Sequence, residues 1–361
     1  MPAPDGAAVG DGADGAPPGG AAVGDAASAP VPGGVSAPVT PINPWRPVSA
    51  CSTDACVQDA VAVAGPVRRT VRLLTAVLMV LTGLPVAFLA SRLSAARRAR
   101  ITGRWARLLL RALGIRIEAI FTPFGPSGAA TGSGAAGTTA AAGMGPADAD
   151  SLSAADTSTT ATPSRTSAPS GTGALVVANH ISWLDPLVLA ATIPSRALAK
   201  REIAGWPIIK TLLAGSGALL IDRERLSQLP AAVKTIADAL GAGDTVVAFP
   251  EGTTWCGRGM GRFRPAVFQA AIDANAPVRP VTLRYREGRA EVPSTRACYV
   301  GDDSLLASAL RVAATRRLVV QVTISAPVRL TSPAPRPMAR AVLAEIAEAQ
   351  VRTGIADGHP G

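Results

Sequence analysis

Histidine is the scarcest functional residue in this chain, because its 361 residues include only His180 and His359. His359 lies among the last three residues, where chains usually fray. If the folded body uses a base near neutral pH, that base is therefore expected to be His180. No G-x-S-x-G pattern of a serine nucleophile accompanies it. The hydroxyl that His180 would activate is thus expected to belong to a substrate.

Cysteine is also rare, and four cysteines are too few for a disulfide framework in a chain of this length. Cys51 and Cys56 are separated by four residues and have no histidine near them, so we expect no metal there. Cys256 and Cys298 are single thiols, and we interpret Cys256 as a packing residue. This cysteine usage favours a reducing compartment for the catalytic part.

Lysine and aromatic residues are scarce in a chain that is otherwise basic. The formal net charge is +10, and lysine occurs only at positions 200, 210 and 234, so nearly all the positive charge is arginine. Such a charge suggests an anionic partner: a membrane surface, an acidic carrier protein, a phosphate-bearing substrate or a nucleic acid. The chain has two Tyr, five Trp and six Phe and no basic stripe interleaved with aromatics, so we expect no nucleic-acid partner.

Two segments lack large apolar side chains. Residues 1–65 are rich in Ala, Gly, Pro and Asp, and residues 125–172 are rich in Gly, Ala, Ser and Thr. Neither can bury enough apolar surface to offset the entropy of ordering. We predict a disordered tail over 1–65 and a disordered insertion over 125–172.

Residues 66–113 are predicted to be a membrane anchor followed by an interfacial helix. Residues 73–90 contain no charge, which is close to the length of about 20 residues that spans a bilayer. Many arginines follow, so the positive-inside rule places the remaining chain on the cytoplasmic side of the cell membrane. Two forms stay open, a span with an interfacial helix and a two-helix wedge that does not cross. The alternative is a buried core helix.

From residue 174 onward, short apolar strands alternate with helical segments. This alternation predicts an α/β fold in which a mainly parallel sheet is flanked by helices. With an earlier strand near 115–121, the predicted domain covers 114–356.

The first motif runs from Asn179 to Asp185, between the apolar strand 174–178 and a helix. Asp185 and Pro186 are predicted to open that helix, with Asp185 as its N-cap. A strand–loop–helix corner lets the carboxylate fold back to the His180 imidazole and fix its tautomer. The alternative is a capping Asp185 and a His180 without chemistry.

The second motif, Phe249-Pro250-Glu251-Gly252-Thr253-Thr254, follows the apolar strand 244–248. Pro and Gly predict a tight turn at the end of that strand, with exposed backbone N–H groups around Glu251. Ligands of open α/β sheets bind at the carboxyl ends of the strands, where both motifs lie. Alone, the turn would be interpreted as a surface turn.

An NHxxxxD motif followed about 70 residues later by FPEGT resembles the 1-acylglycerol-3-phosphate acyltransferases, a family of glycerolipid acyltransferases. Two weaker blocks, 217–223 and 278–281, match in the family order. The resemblance implies that His180 is the general base and Asp185 its partner. It further implies that Glu251, Gly252 and Thr253 help to bind the acceptor.

The resemblance also assigns Arg223 to the acceptor phosphate, and it implies a membrane lipid environment and a lysophospholipid substrate. No cofactor or metal is implied, and the acyl donor is a thioester of coenzyme A or of an acyl carrier protein. The chain departs from the family where Trp255 replaces the usual arginine after FPEGT, so Arg258, Arg262 or Arg264 is a candidate for that cationic role. Residues 261–268 also resemble lyso-ornithine lipid acyltransferases. A catalytically silent membrane scaffold is the alternative from another class.

Overall fold

The computed structural model describes residues 48–60, 62–121, 173–201, 205, 207–222, 225–330 and 335–356. Within these ranges the strands are β1 (Arg116–Phe121), β2 (Leu175–Ala178), β3 (Arg196–Lys200), β4 (Leu219–Ile221), β5 (Val246–Ala248), β6 (Val278–Glu287) and β7 (Leu318–Ile324). The α-helices are α1 (Thr53–Cys56), α2 (Pro66–Ala90), α3 (Ala95–Ala112), α4 (Asp185–Thr192), α5 (Pro207–Ser216), α6 (Leu229–Gly241), α7 (Phe268–Asp273), α8 (Leu305–Ala314) and α9 (Arg336–Ala356).

The strands form one sheet in the order β1-β7-β6-β2-β5-β3-β4. Pairing is parallel throughout these strands except between β6 and β7, which run antiparallel. The prediction of a mainly parallel sheet flanked by helices is confirmed. Strand β3 was missed, because its sequence Arg-Ala-Leu-Ala-Lys has one large apolar residue and none of its residues is fully buried.

The central strand β2 shows why both faces of the sheet are covered. All four of its residues are buried, and their side chains alternate between two apolar cores. Val176 and Ala178 join the core that contains residues of α3, α4 and α8. Leu175 and Val177 join the core formed with α6, α7 and α9. A strand that is buried on both sides reads as a continuous apolar run.

Helix α2 is the one helix in the described ranges that is long and apolar enough to cross a membrane. Only 17% of its most apolar window is buried, so it is not a core helix of the domain. It packs beside α3, where the Trp105 indole lies over Gly83 and donates to the Met79 carbonyl at 3.0 Å. Its other side exposes a row of large apolar side chains that includes Leu74, Leu78, Leu81, Phe88 and Leu89.

Helix α3 belongs to the folded domain rather than lying apart from it. Its small residues Ala99, Gly103 and Ala106 are buried, and the backbone at Gly103 approaches the Ala190 carbonyl of α4 closely. Leu110 is fully buried in the core. The arginines of α3 at positions 97, 100, 104, 107 and 111 lie on its exposed face.

The predicted disordered tail extends too far toward residue 65. Ala64 is 2% exposed and its N–H donates to the Ala314 carbonyl at 2.8 Å, while Cys56 of α1 is buried in the core. The prediction was wrong here because composition does not reveal that small side chains fill gaps in a core made by other segments. Residues 1–47 and the predicted insertion 125–172 lie outside the described residues.

Candidate active site

Strand β2 and helix α4 bring His180 and Asp185 together. Where β2 ends, the Asn179 amide takes over the pairing with β6: it accepts from the Leu283 N–H at 2.8 Å and donates to the Leu283 carbonyl at 3.0 Å. This pair fixes the direction in which the chain leaves the sheet. The following loop folds back as predicted, and the His180 Nδ1 atom lies 2.9 Å from Asp185 Oδ2.

The Asp185 carboxylate is fully buried and is surrounded by four donors. Oδ2 accepts from His180 Nδ1 and from the N–H groups of Ile181 and Ser182, at 2.6 and 2.8 Å. Oδ1 accepts from the Tyr285 hydroxyl at 2.7 Å. These bonds stabilise a negative charge that burial alone would disfavour.

Asp185 is the first residue of α4 and Leu184 is its N-cap, so the predicted capping role of Asp185 is wrong by one position. Its carboxylate turns back to the preceding loop instead of to its own helix. The helix start itself, with Pro186 in the first turn, is where the sequence predicts it.

The His180 ring is held in one orientation. It stacks on Phe249 with ring centroids 4.1 Å apart and an interplanar angle of 17°. Because the carboxylate of Asp185 requires a donor, Nδ1 carries the proton and Nε2 is left as an acceptor. The side chain is 20% exposed, so the imidazole can be reached from outside the domain.

Glu251 lies at the end of β5, beside His180, but its carboxylate points inward. It is 3% exposed; Oε1 accepts from the His180 N–H at 2.7 Å and Oε2 from the Gly261 N–H at 2.6 Å. Burial raises the pKa of Glu251 to about 8, against the opposing effect of the two N–H donors. The carboxylate therefore joins the two motifs, and a direct contact with substrate would require breaking these bonds.

The turn after β5 has the shape that the motif predicts. Gly252 has φ 75°, a left-handed conformation that favours glycine. Thr253 is partly buried beside it, and the Trp255 N–H donates to the His180 carbonyl at 2.8 Å. The His180 segment is thus bonded to the turn both through the Glu251 side chain and through the backbone.

Two aromatic residues of this site were not identified from the sequence. Tyr285 reaches Asp185 because β6 continues beyond the end of β2, and burial raises its pKa well above the ordinary value. Phe249 was quoted only as part of a motif. Tyrosine is scarce enough to have been a signal: the other one, Tyr299, donates its N–H to the Ile181 carbonyl at 2.9 Å.

Arg223 lies outside the described residues. The strand before it, β4, runs parallel to β3, β5 and β2, so its carboxyl end is at the same edge of the sheet as His180 and Glu251. It stands two strands from β5, or about 10 Å at the usual strand spacing. The alternative cations Arg258, Arg262 and Arg264 are exposed.

Chemically, the arrangement presents one accessible imidazole nitrogen whose ring is fixed by a buried carboxylate. The oxygens of Asp185 and Glu251 are bonded to N–H and O–H donors, so these carboxylates are not arranged as metal ligands. The geometry suits proton transfer from a bound hydroxyl.

Comparisons with known proteins point the same way. Residues 162–284 match the family model described as Acyltransferase. The chain is 40% identical over 113 residues to a 1-acyl-sn-glycerol-3-phosphate acyltransferase from Neisseria gonorrhoeae, which covers 31% of this chain and 44% of the relative. It is 34% identical over 158 residues to a lyso-ornithine lipid O-acyltransferase from Pseudomonas aeruginosa, which covers 43% and 58%.

The chain spans about half the length of these curated relatives. A crystal structure of the 1-acyl-sn-glycerophosphate acyltransferase PlsC from Thermotoga maritima aligns over 81% of this chain and 94% of that one, with 15% identity and a TM-score of 0.49. The family model and the curated relatives confirm the resemblance to the 1-acylglycerol-3-phosphate acyltransferase family.

Proposed function

We propose that this chain is a membrane-associated acyltransferase that moves an acyl group from a thioester to the free hydroxyl of 1-acyl-sn-glycerol-3-phosphate. The product would be phosphatidic acid. The observation that supports this most directly is the His180–Asp185 pair, with 2.9 Å between Nδ1 and Oδ2, inside the segment that matches the acyltransferase family.

In this mechanism His180 Nε2 takes the proton from the acceptor hydroxyl while Asp185 stabilises the imidazolium that forms. The acceptor oxygen attacks the thioester carbonyl, the carbon–sulfur bond breaks, and the departing thiolate receives the proton from His180. The new bond is an ester, no acyl-enzyme forms and no metal takes part. The donor is a thioester of coenzyme A or of an acyl carrier protein.

The acceptor would lie along the sheet edge. Gly252 and Thr253 shape the turn beside His180, and Arg223 is assigned to the phosphate because a guanidinium binds phosphate oxygens in pairs. Glu251 acts in this scheme as a positioning residue, since its two oxygens hold the His180 and Gly261 backbones. Its effect on the acceptor is therefore indirect.

The second candidate keeps the chemistry and changes the acceptor to a lyso-ornithine lipid. Its support is the relative from Pseudomonas aeruginosa, whose match is longer than that of the relative from Neisseria gonorrhoeae. Arg223 separates the two candidates, because only an acceptor with a free phosphate has a use for that guanidinium.

We place the protein at the cell membrane through the exposed apolar side of α2, with the sheet domain on the cytoplasmic side. The exposed arginines of α3 follow α2 directly and would face anionic headgroups. Both the wedge and the spanning form fit this arrangement.

The test uses full-length protein in detergent or vesicles with a labelled acyl thioester and a panel of lysolipids. We expect label in phosphatidic acid when lysophosphatidate is the acceptor, and none with His180→Gln. Label only in ornithine lipid would select the second candidate. No transfer to any lysolipid with either thioester donor would favour the silent scaffold.

A further inference from the structure

Three of the four cysteines meet beside the candidate active site. The thiol sulfurs of Cys51, Cys56 and Cys256 all lie within 4.8 Å of one another. Cys56 and Cys256 are 9% and 7% exposed, and Cys51 is partly buried. None of these cysteines is in a disulfide. The sequence suggested no metal here because the third thiol is far away along the chain.

The first two thiols are presented by a small ordered unit. Cys51 and Cys56 stand at either end of α1, which begins with the Ser52 hydroxyl accepting from the Ala55 N–H at 3.2 Å. The Cys56 N–H donates to the Ser52 carbonyl at 3.1 Å. Their separation by four residues is within the C-x2–4-C spacing of structural zinc sites.

The third thiol comes from the loop that contacts His180. Trp255, immediately before Cys256, donates its N–H to the His180 carbonyl at 2.8 Å. Gly257, immediately after it, has φ 89° and lies against Ile181. Any group that holds the Cys256 sulfur therefore also restrains the backbone on which His180 is mounted.

Two other readings fit the cluster less well. As core packing, small apolar thiols need no common centre, yet three of the four cysteines share one. As a disulfide, two sulfurs must approach to about 2.05 Å and the third is left over. A tetrahedral Zn²⁺ with bonds of about 2.3 Å places its sulfurs roughly 3.8 Å apart, so three thiols within this distance need little movement.

We propose that Cys51, Cys56 and Cys256 bind one thiophilic divalent cation, of which Zn²⁺ is the best fit, and that it fastens the segment before α2 to the loop beside His180. As each metal–sulfur bond forms, its thiol releases one proton to solvent. The fourth coordination position falls to a water or to Cys298, which is buried in the same apolar cluster. The site does not depend on the proposed acyl transfer.

The segment is already in place to receive the ion. The Gln58 N–H donates to the Thr295 hydroxyl at 2.9 Å, and Gly301 lies against the backbone of Cys51 and Ser52. The ion would thus bind a largely preformed site, and its main effect would be on the stability of this corner of the domain.

The experiment measures metal directly in the full-length protein, purified in detergent under a non-thiol reductant. Elemental analysis should find close to one Zn²⁺ per chain. Replacement by Co²⁺ should give the thiolate charge-transfer and strong ligand-field absorption of a tetrahedral sulfur site. Cys56→Ser and Cys256→Ser should each weaken Co²⁺ binding at least a hundredfold. Asp54→Asn, an exposed change in the same helix, should bind like wild type.

A wild-type protein without Zn²⁺ and without Co²⁺ absorption would overturn the proposal, as would undiminished binding by Cys256→Ser or a disulfide among the three thiols in the reduced preparation. If a serine variant fails to fold, wild type alone decides. A strong chelator should then lower its Tm by several degrees and Zn²⁺ should restore it, whereas a chelator-insensitive Tm would refute a structural ion.

Discussion

Replacing Asp185 by asparagine should slow acyl transfer while leaving the fold intact. The amide oxygen can accept from His180 Nδ1 and from the Ile181 and Ser182 N–H groups, as Oδ2 does now. The amide nitrogen would then face the Tyr285 oxygen, which can accept as well as donate. The hydrogen-bond pattern survives and only the charge beside the imidazole is lost.

That charge has an estimable effect on rate. A hydrogen bond to a charged group contributes about 1.5–3 kcal/mol, and a neutral one about 0.5–1.5 kcal/mol. Their difference, about 1–2 kcal/mol, acts on the imidazolium that forms only during the reaction. Since about 1.4 kcal/mol corresponds to a factor of ten, kcat should fall roughly five- to thirtyfold and KM for both substrates should change little.

Steady-state kinetics with the accepted lysolipid, together with thermal unfolding, would test this reasoning. The matched variant Asp185→Ala leaves three donors and a buried hydroxyl without their acceptor, so it should also lose several degrees of Tm. An Asp185→Asn enzyme with more than half of the wild-type kcat would show that Asp185 is only a structural acceptor.

Four further outcomes are expected. His180→Ala should lower kcat by about 10²–10⁴-fold with unchanged membrane binding, and a variant above a tenth of wild-type rate would contradict the general base. Because burial raises the folded-state pKa of Glu251 to about 8, the folded state holds the proton longer than the unfolded chain. Chemical unfolding should therefore show stability decreasing from about pH 4.5 to pH 8, by at most about 1.4 kcal/mol per pH unit, and Glu251→Gln should flatten this trend. Arg223→Ala should raise KM for lysophosphatidate about tenfold, since a charge-assisted bond contributes about 1.5–3 kcal/mol, and leave KM for the thioester unchanged. Leu74→Glu with Leu78→Glu, at positions 65% and 55% exposed, should reduce the membrane-bound fraction in flotation without lowering Tm, and release of wild type by carbonate would argue against insertion.

The parts of the fold that could be predicted are those with a local signal. Strands β2 and β5 are apolar runs that are buried on both sides, so composition marks them and polar residues mark where they end. Parallel strands put their carboxyl ends at one edge, which is why His180 and Glu251 could be expected to meet. The fold-back of Asp185 followed from the short loop between a strand and a helix.

The contacts that complete the site depend on strands and loops that are distant in sequence. Tyr285 reaches Asp185 only because β6 runs past the end of β2, and the length of β6 relative to its neighbour is a tertiary property. The same holds for Glu251, whose local turn suggested an exposed carboxylate. Its burial results from Gly261 closing over it, and no local pattern announces that closure.

The buried acids also explain why the His180 loop can be rigid before any substrate arrives. Asp185 binds the N–H groups of two successive residues, Ile181 and Ser182, and Glu251 binds the N–H group of His180. Three consecutive backbone donors are thus fixed by two side chains from different elements, so the loop cannot rotate one peptide without breaking a charge-assisted bond. The orientation of the imidazole is therefore set during folding, and binding energy from the acceptor need not be used to create it.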